Sequence, residues 1–379
     1  MKKYLLSFAV LTMAMSLTTA CSDDDDDAPA VKPVDVSNGL FIVGSGNKSA
    51  GIDGNVSYID YAKGTTVTNA FKAANGKSVG KTANYITTYG SKLYIVVDGE
   101  ATIWVCNKQT LKVEKQIITT QLLGEADGES PRAAIGYEGK LYFTCYGKSK
   151  DGENGIVAAI DTISFAKQQT YTVGSYPDGL TLCNGYIFVA NSDYGMNMNP
   201  SISKIDLKAG TVSEIKDEAI TNPMHILTIG DAVYYLDYGT YDENWNQTGQ
   251  GVRKITMDNK VTKLIAGTTM GTDGKKIYTA DAPYLKEVKY YIYDTTTGNT
   301  STWEPADILS PQLIAADPVT GNIFITSLNK NETTGNNDYK LPTYTNQYDA
   351  NGNFVKKYDN TATGAISAIF NTHTEYVKQ

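Results

Sequence analysis

The chain has 379 residues, a formal net charge of −8, and only two histidines and two arginines, Arg132 and Arg253. An acidic surface of this kind excludes nucleic acid and anionic lipid as main partners, because both repel negative charge. Aromatic residues are plentiful, with 27 tyrosines, and 34 glycines punctuate the chain.

At the N-terminus, Lys2 and Lys3 precede an apolar run from Tyr4 to Leu17. That run is shorter than the roughly 20 residues a membrane helix needs, and it reads as a secretory signal. Leu17-Thr18-Thr19-Ala20-Cys21 looks like a bacterial lipobox, with Leu one place earlier than usual. It implies a leader over 1–20 and lipidation of Cys21. Asp23 to Asp27 is an unbroken acidic run that repels itself and resembles a surface-export tag. With Pro29 and Pro33 it makes 21–38 a tether ahead of a single domain over 39–379.

From residue 39 one short strand keeps returning. Its aromatic position falls at Tyr94, Tyr142, Phe188, Tyr234, Tyr278 and Phe324, a period of about 46 residues. Apolar, β-branched and aromatic runs at this spacing predict four-stranded propeller blades. Each unit opens on a strand headed by Pro or a small residue, as in Pro131-Arg132-Ala133. A glycine turn follows, at Gly90, Gly139, Gly185, Gly230, Gly274 or Gly321. Asp60, Asp161, Asp206, Asp294 and Asp349 then stand at the turn after the third strand, where Asp caps its own backbone.

The first copy, Leu40 to Val43, lacks a preceding inner strand, and the chain ends on a spare strand, Ala365 to Phe370. The expected fold is therefore all-β: a seven-bladed β-propeller, its ring closed by pairing the N- and C-terminal strands. Helix signals are nearly absent. Cys106, Cys145 and Cys183 sit in strand segments as buried thiols, with one disulfide left open.

No His-x-His, His-Glu-x-x-His or Cys-x-x-Cys spacing occurs, so no metal site or cofactor is expected. There is no Gly-x-Ser-x-Gly elbow and no phosphate-binding glycine loop. Asp151 to Gly155 has oxygen-bearing side chains without the spacing of an EF-hand and reads as a polar loop.

Topology makes the long loops on one face the candidate site. They carry Tyr194, Met196, Asn197, Met198 and Asn199; Tyr238, Tyr241, Trp245, Asn246 and Gln247; and Asn329, Asn331, Asn336, Asn337 and Tyr339. Rigid aromatic faces mixed with amides suit a large neutral ligand; the same residues would also serve simply to pack the loops. One position of the inner strands supplies Asn84, Arg132, Asp178, Met224, Thr268 and Gln312, all expected near the mouth of a central channel. Arg132 and Asp178 would bind a ligand or pair with each other. His225 is expected to point into the core.

Gly39 to Val43, Gly54 to Tyr61, Tyr89 to Val96, and Gly174-Ser175-Tyr176-Pro177-Asp178-Gly179 with Val189 to Ser192 resemble the YncE-like propeller lipoproteins of Gram-negative bacteria. The resemblance spans nearly the whole domain. Its BtuG-like branch implies capture of cobalamin at the outer membrane, delivery to a TonB-dependent transporter, and no catalysis. Members often carry Asn-Glu-Gly-Asn where this chain has Gly44-Ser45-Gly46-Asn47. The leading expectation is a surface lipoprotein that binds a nutrient, with a corrinoid favoured. A glycan-binding lipoprotein, a protein-interaction scaffold and a propeller lactonase or lyase are the alternatives.

Overall fold

All six recurring aromatic strands are second strands of four-stranded sheets: Lys92–Val97, Lys140–Cys145, Tyr186–Asn191, Ala232–Asp237, Lys276–Asp281 and Ile323–Ser327. The computed structural model describes residues 31–195, 198–284 and 286–378. The leader, Cys21, the acidic run, Met196 and Asn197 lie outside the described residues. Among the described residues there are seven four-stranded sheets and one two-stranded hairpin, Thr240–Tyr241 with Gln247–Thr248. In six sheets the strands follow one another in chain order as antiparallel neighbours. The remaining sheet uses both ends of the chain, in the order Thr65–Val67, Asn55–Asp60, Val31–Gly44, Ala365–Lys378. Counting in chain order, it is called the first sheet here.

Two compact units are present. Asp35–His373 forms one, and Val31–Val34 with Thr374–Lys378 belong to the other. The strand that opens the first sheet starts at Val31, inside the segment read from sequence as tether.

The second strands are buried on both faces, which is why they read as continuous apolar runs rather than alternating ones. Their aromatics sit between consecutive sheets. Tyr94 packs with Ala134, Leu141 and Phe143 of the third sheet. Phe188 packs with Ile226, Val233 and Tyr235 of the fifth. Phe324 and Tyr358 of the seventh sheet share a cluster with Leu40, Ile42 and Ile59 of the first. Each such fully buried side chain contributes about 1.5–3 kcal/mol of hydrophobic stabilisation.

Turn chemistry follows the residues expected of it. Gly139 adopts φ +73 with open space around its Cα, so backbone conformation alone requires glycine there. Asp161 Oδ1 accepts from the amides of Ile163 and Ser164, and Asp294 Oδ1 from Thr296 and Thr297. These amide donors hold both carboxyls below the usual carboxylate range. Asn107 does the same work in the second sheet, accepting from Gln109 and Thr110.

Helix signals are nearly absent from the sequence, yet among the described residues two short α-helices occur, Ala70–Asn75 and Thr119–Leu123. The first buries Ala70 and Phe71 against the cluster around Trp104 and ends on Gly76 in the left-handed region. The three cysteines are buried and unpaired. Burial raises their thiols, Cys106 to about 12.

Candidate ligand-binding site

In five of the seven sheets the first strand meets its neighbour with a register slip near its start, and the first and sixth sheets show none. One extra residue enters between Ala83 and Tyr85, Pro131 and Ala134, Pro177 and Leu180, Pro223 and Ile226, and Pro311 and Leu313. These are β-bulges, and bulges re-aim side chains. They fall on the position occupied by Asn84, Arg132, Asp178, Met224 and Gln312. Thr268 is different. It lies one residue ahead of the Thr269–Thr272 strand, donates to Ala280 O (3.1 Å) and accepts from the Ala282 amide.

The register-equivalent positions therefore do not form a uniform ring. Arg132 and Asp178 pair with each other, Nε to Oδ1 at 3.2 Å. Arg132 Nη1 also reaches Asp98 Oδ2 at 2.9 Å. The Tyr146 hydroxyl donates to Asp178 Oδ2 at 2.6 Å, while its ring lies 4.7 Å under the guanidinium. Burial acts to lower the Arg132 pKa, but Asp178, Tyr146 and Asp98 outweigh it and the net shift is upward. This network joins three sheets and leaves neither Arg132 nor Asp178 available as a lone ligand-binding charge. Asp98 and Tyr146 escaped sequence reading because nothing local marks them as partners. Asn84 is buried and its Nδ2 has no partner. Met224 is half-buried.

A cavity of about 1060 Å³ runs along the first strands. Tyr85, Gly179, His225 to Leu227, Thr269 to Thr272, Pro311 to Ala316 and Ala365 to Phe370 form its wall, so six of the seven sheets contribute. Ser45, Asn47, Tyr238, Tyr241, Gln247 and Tyr339 stand toward the loop end. Among the described residues no Asp, Glu, Lys or Arg lines it. Of the residues expected at the site, Thr268, Gln312, Tyr238 and Tyr241 do line it; Asn84, Arg132, Asp178, Met224, Tyr194 and Trp245 do not.

His225 overturns its expectation. It faces the cavity, not the core, because the bulge between Pro223 and Ile226 changes which side its side chain meets. Burial lowers its pKa, and Arg132 adds to that while Asp178 opposes it, so the imidazole is neutral at pH 7. Its ring meets Tyr238 edge-on at 6.4 Å. Burial first, then Asp178, pushes the Tyr238 hydroxyl up to about 12. Gln247 donates to Tyr238 O (2.8 Å), and Asn47 to Tyr339 O (3.2 Å), so these amides brace the loops.

The aromatic loops do not form one flat row. Tyr241 and Trp245 are neighbours at 6.4 Å, with Trp245 78% exposed beyond the cavity mouth. Tyr194 belongs to a separate concavity with Tyr176. Among the described residues no cluster of His, Cys, Asp and Glu could hold a metal ion.

No protein-family model matches this chain, and no curated protein does. Solved structures do. A Bacteroides uniformis protein provisionally described as a 6-phosphogluconolactonase aligns at TM-score 0.58 and 10% identity, over 90% of this chain and 100% of its own. Hydrazine synthase from Kuenenia stuttgartiensis aligns at 0.55 and 15%, over 78% and 95%. The WD40 repeats of RRP9 align at 0.53 and 8%, over 75% and 82%. At these identities the likeness concerns fold alone: the chain is an all-β protein of the β-propeller type.

Proposed function

We propose that this chain is a seven-bladed β-propeller whose ring is closed by its two terminal strands, and that it is a non-catalytic binding protein for a large neutral ligand. The strand order of the first sheet and the apolar cluster between the seventh and first sheets support closure. Closure also removes an exposed sheet edge.

The observation that carries the binding reading is the charge-free cavity. At about 1060 Å³ it lies just above the roughly 300–1,000 Å³ of ordinary ligand pockets. Its wall mixes Ile226, Leu227, Met270, Ile314 and Ile366 with a few polar groups. Apolar walls with sparse, placed hydrogen-bonding groups are what such sites use. Gln312, His225 and the hydroxyls of Tyr238 and Tyr241 are the polar groups offered to a ligand. A charged substrate would meet no counter-charge there. Acid–base chemistry would lack a carboxylate in the wall, since Asp178 is already held by Arg132 and Tyr146.

The preferred ligand is a corrinoid, whose bulk and amide-rich rim fit a wide neutral channel. With lipidation at Cys21 and the acidic run behind it, the chain is read as an outer-membrane lipoprotein that captures this nutrient at the cell surface and passes it to a TonB-dependent transporter. The test is calorimetric titration with cyanocobalamin. One-to-one binding weakened about tenfold or more by Tyr238→Ala, the loss of one well-buried aromatic contact, is the expected result. Absence of heat would remove the corrinoid. A response to neutral glycans that Tyr238→Ala abolishes would then reassign the cavity to a glycan.

A further inference from the structure

A second concavity of about 620 Å³ shares no lining residue with the cavity above. It lies between the third and fourth sheets, where the Ser149–Asn154 loop and the Val173–Tyr176 crossover meet Asp193, Tyr194, Met198 and Asn199. Its aromatic side is Tyr176 and Tyr194, with ring centroids 5.2 Å apart and planes inclined by 36°. Tyr146 abuts both edge-on, at 5.0 and 6.4 Å, and is itself held by Asp178 and Arg132. The two rings are thus braced from behind, while Tyr194 is 68% exposed in front.

The backbone here is held in an uncommon state. Tyr176, Asp193 and Tyr194 all have positive φ, at 49°, 50° and 53°. Bulky residues rarely adopt this region, and such strain gathers at ligand clamps. Specific bonds maintain it. Ser149 Oγ accepts from the Tyr176 amide, Ser192 Oγ from the Tyr194 amide, and Asp193 Oδ2 from the amides of Met198 and Asn199.

Neutral polar groups stand beside charged ones here. The side chains of Asn154, Ser175 and Asn199 and the hydroxyls of Tyr176 and Tyr194 have no hydrogen-bond partner among the described residues. Of the charged groups around them, Lys216 pairs with Glu214 and Lys150 with Glu129, while the buried Asp193 carboxylate accepts from two backbone amides. An aromatic face beside free amides and hydroxyls matches a pyranose, which offers one apolar C–H face and a rim of hydroxyls.

We propose that this concavity is a saccharide subsite, separate from the central cavity, in which a neutral pyranose stacks on Tyr176 and Tyr194 and is hydrogen-bonded by Asn154 and Asn199. It does not rest on the corrinoid reading.

The experiment is NMR titration of protein carrying ¹³C-labelled tyrosine with the methyl glycosides of glucose, galactose, mannose and N-acetylglucosamine. Tyr176→Phe and Tyr194→Phe samples assign the two signals. The expected result is a shift of both signals with at least one sugar, weakened about fivefold or more by Tyr194→Ala, the scale of one lost stacking contact. Asn154→Ala, on an exposed loop, should weaken it too. The tyrosine signals of Tyr194→Ala away from this concavity, Tyr238 and Tyr241 included, should stay at their native positions, which shows the variant folded. No shift at Tyr176 or Tyr194 with any of the four sugars overturns the proposal. So do shifts confined to Tyr238 and Tyr241, which would put the sugar in the central cavity.

Discussion

Replacing Asp178 with alanine tests whether the charged network near the cavity is structural. The change removes the acceptor of both Arg132 Nε and the Tyr146 hydroxyl. Arg132 keeps Asp98 at 2.9 Å, so it is not left wholly unpaired. Breaking a fully buried pair costs about 3–5 kcal/mol. Here the side chains of Arg132 and Asp178 each retain 13% exposure and one carboxylate survives, so the cost should fall to about 2–3 kcal/mol. At about 2.1 cal/mol/K of unfolding entropy per residue over Asp35–His373, that is a fall of roughly 3–4 °C in Tm.

Differential scanning calorimetry measures it. The double variant Arg132→Met/Asp178→Ala removes the half-compensated guanidinium as well and should recover a good part of the loss, because Asp98, with 22% exposure, can be solvated. Strict additivity of the separate Asp178→Ala and Arg132→Met losses, or a change below about 1 kcal/mol for Asp178→Ala, would refute the account, since exposed surface pairs contribute about 0.2–1 kcal/mol.

Gly179→Val should destabilise by about 1–3 kcal/mol in urea unfolding, because a Cβ there would stand 2.6 Å from Met224 O and 3.2 Å from the Ile226 amide nitrogen; a neutral outcome would mean the first strands are not in close contact. His225 has a folded pKa below its unfolded value of about 6.5, so the unfolded chain binds the proton more readily. Its contribution to stability is complete above about pH 6.5 and is lost as pH falls toward the folded value; unfolding midpoints of the parent chain should drop more between pH 7 and pH 5 than those of His225→Gln, and parallel curves would contradict this. Cys106, Cys145 and Cys183 should resist a thiol reagent in the native protein and react on denaturation, since burial disfavours their thiolates; rapid native labelling of any one would show that its sheet opens readily.

The strands, their period and their turns were legible from the chain's residues alone. A second strand buried on both sides must be apolar throughout, so Leu93 to Val96 and its five counterparts announce themselves. Gly139 and Asp161 are legible because a left-handed turn and a capped turn each demand one residue type locally. The two short helices were missed, being only one or two turns long and held by tertiary contacts such as Phe71 against Trp104. The site depended on the tertiary structure. A bulge adds one residue without altering local composition, and it alone turned His225 from the expected core to the cavity wall. Arg132 found Asp98, Asp178 and Tyr146 on neighbouring sheets and loops, a meeting that no spacing along the chain encodes. The same long-range packing parted Tyr194 from Tyr238 and Tyr241, so that loops alike in composition came to line two separate hollows.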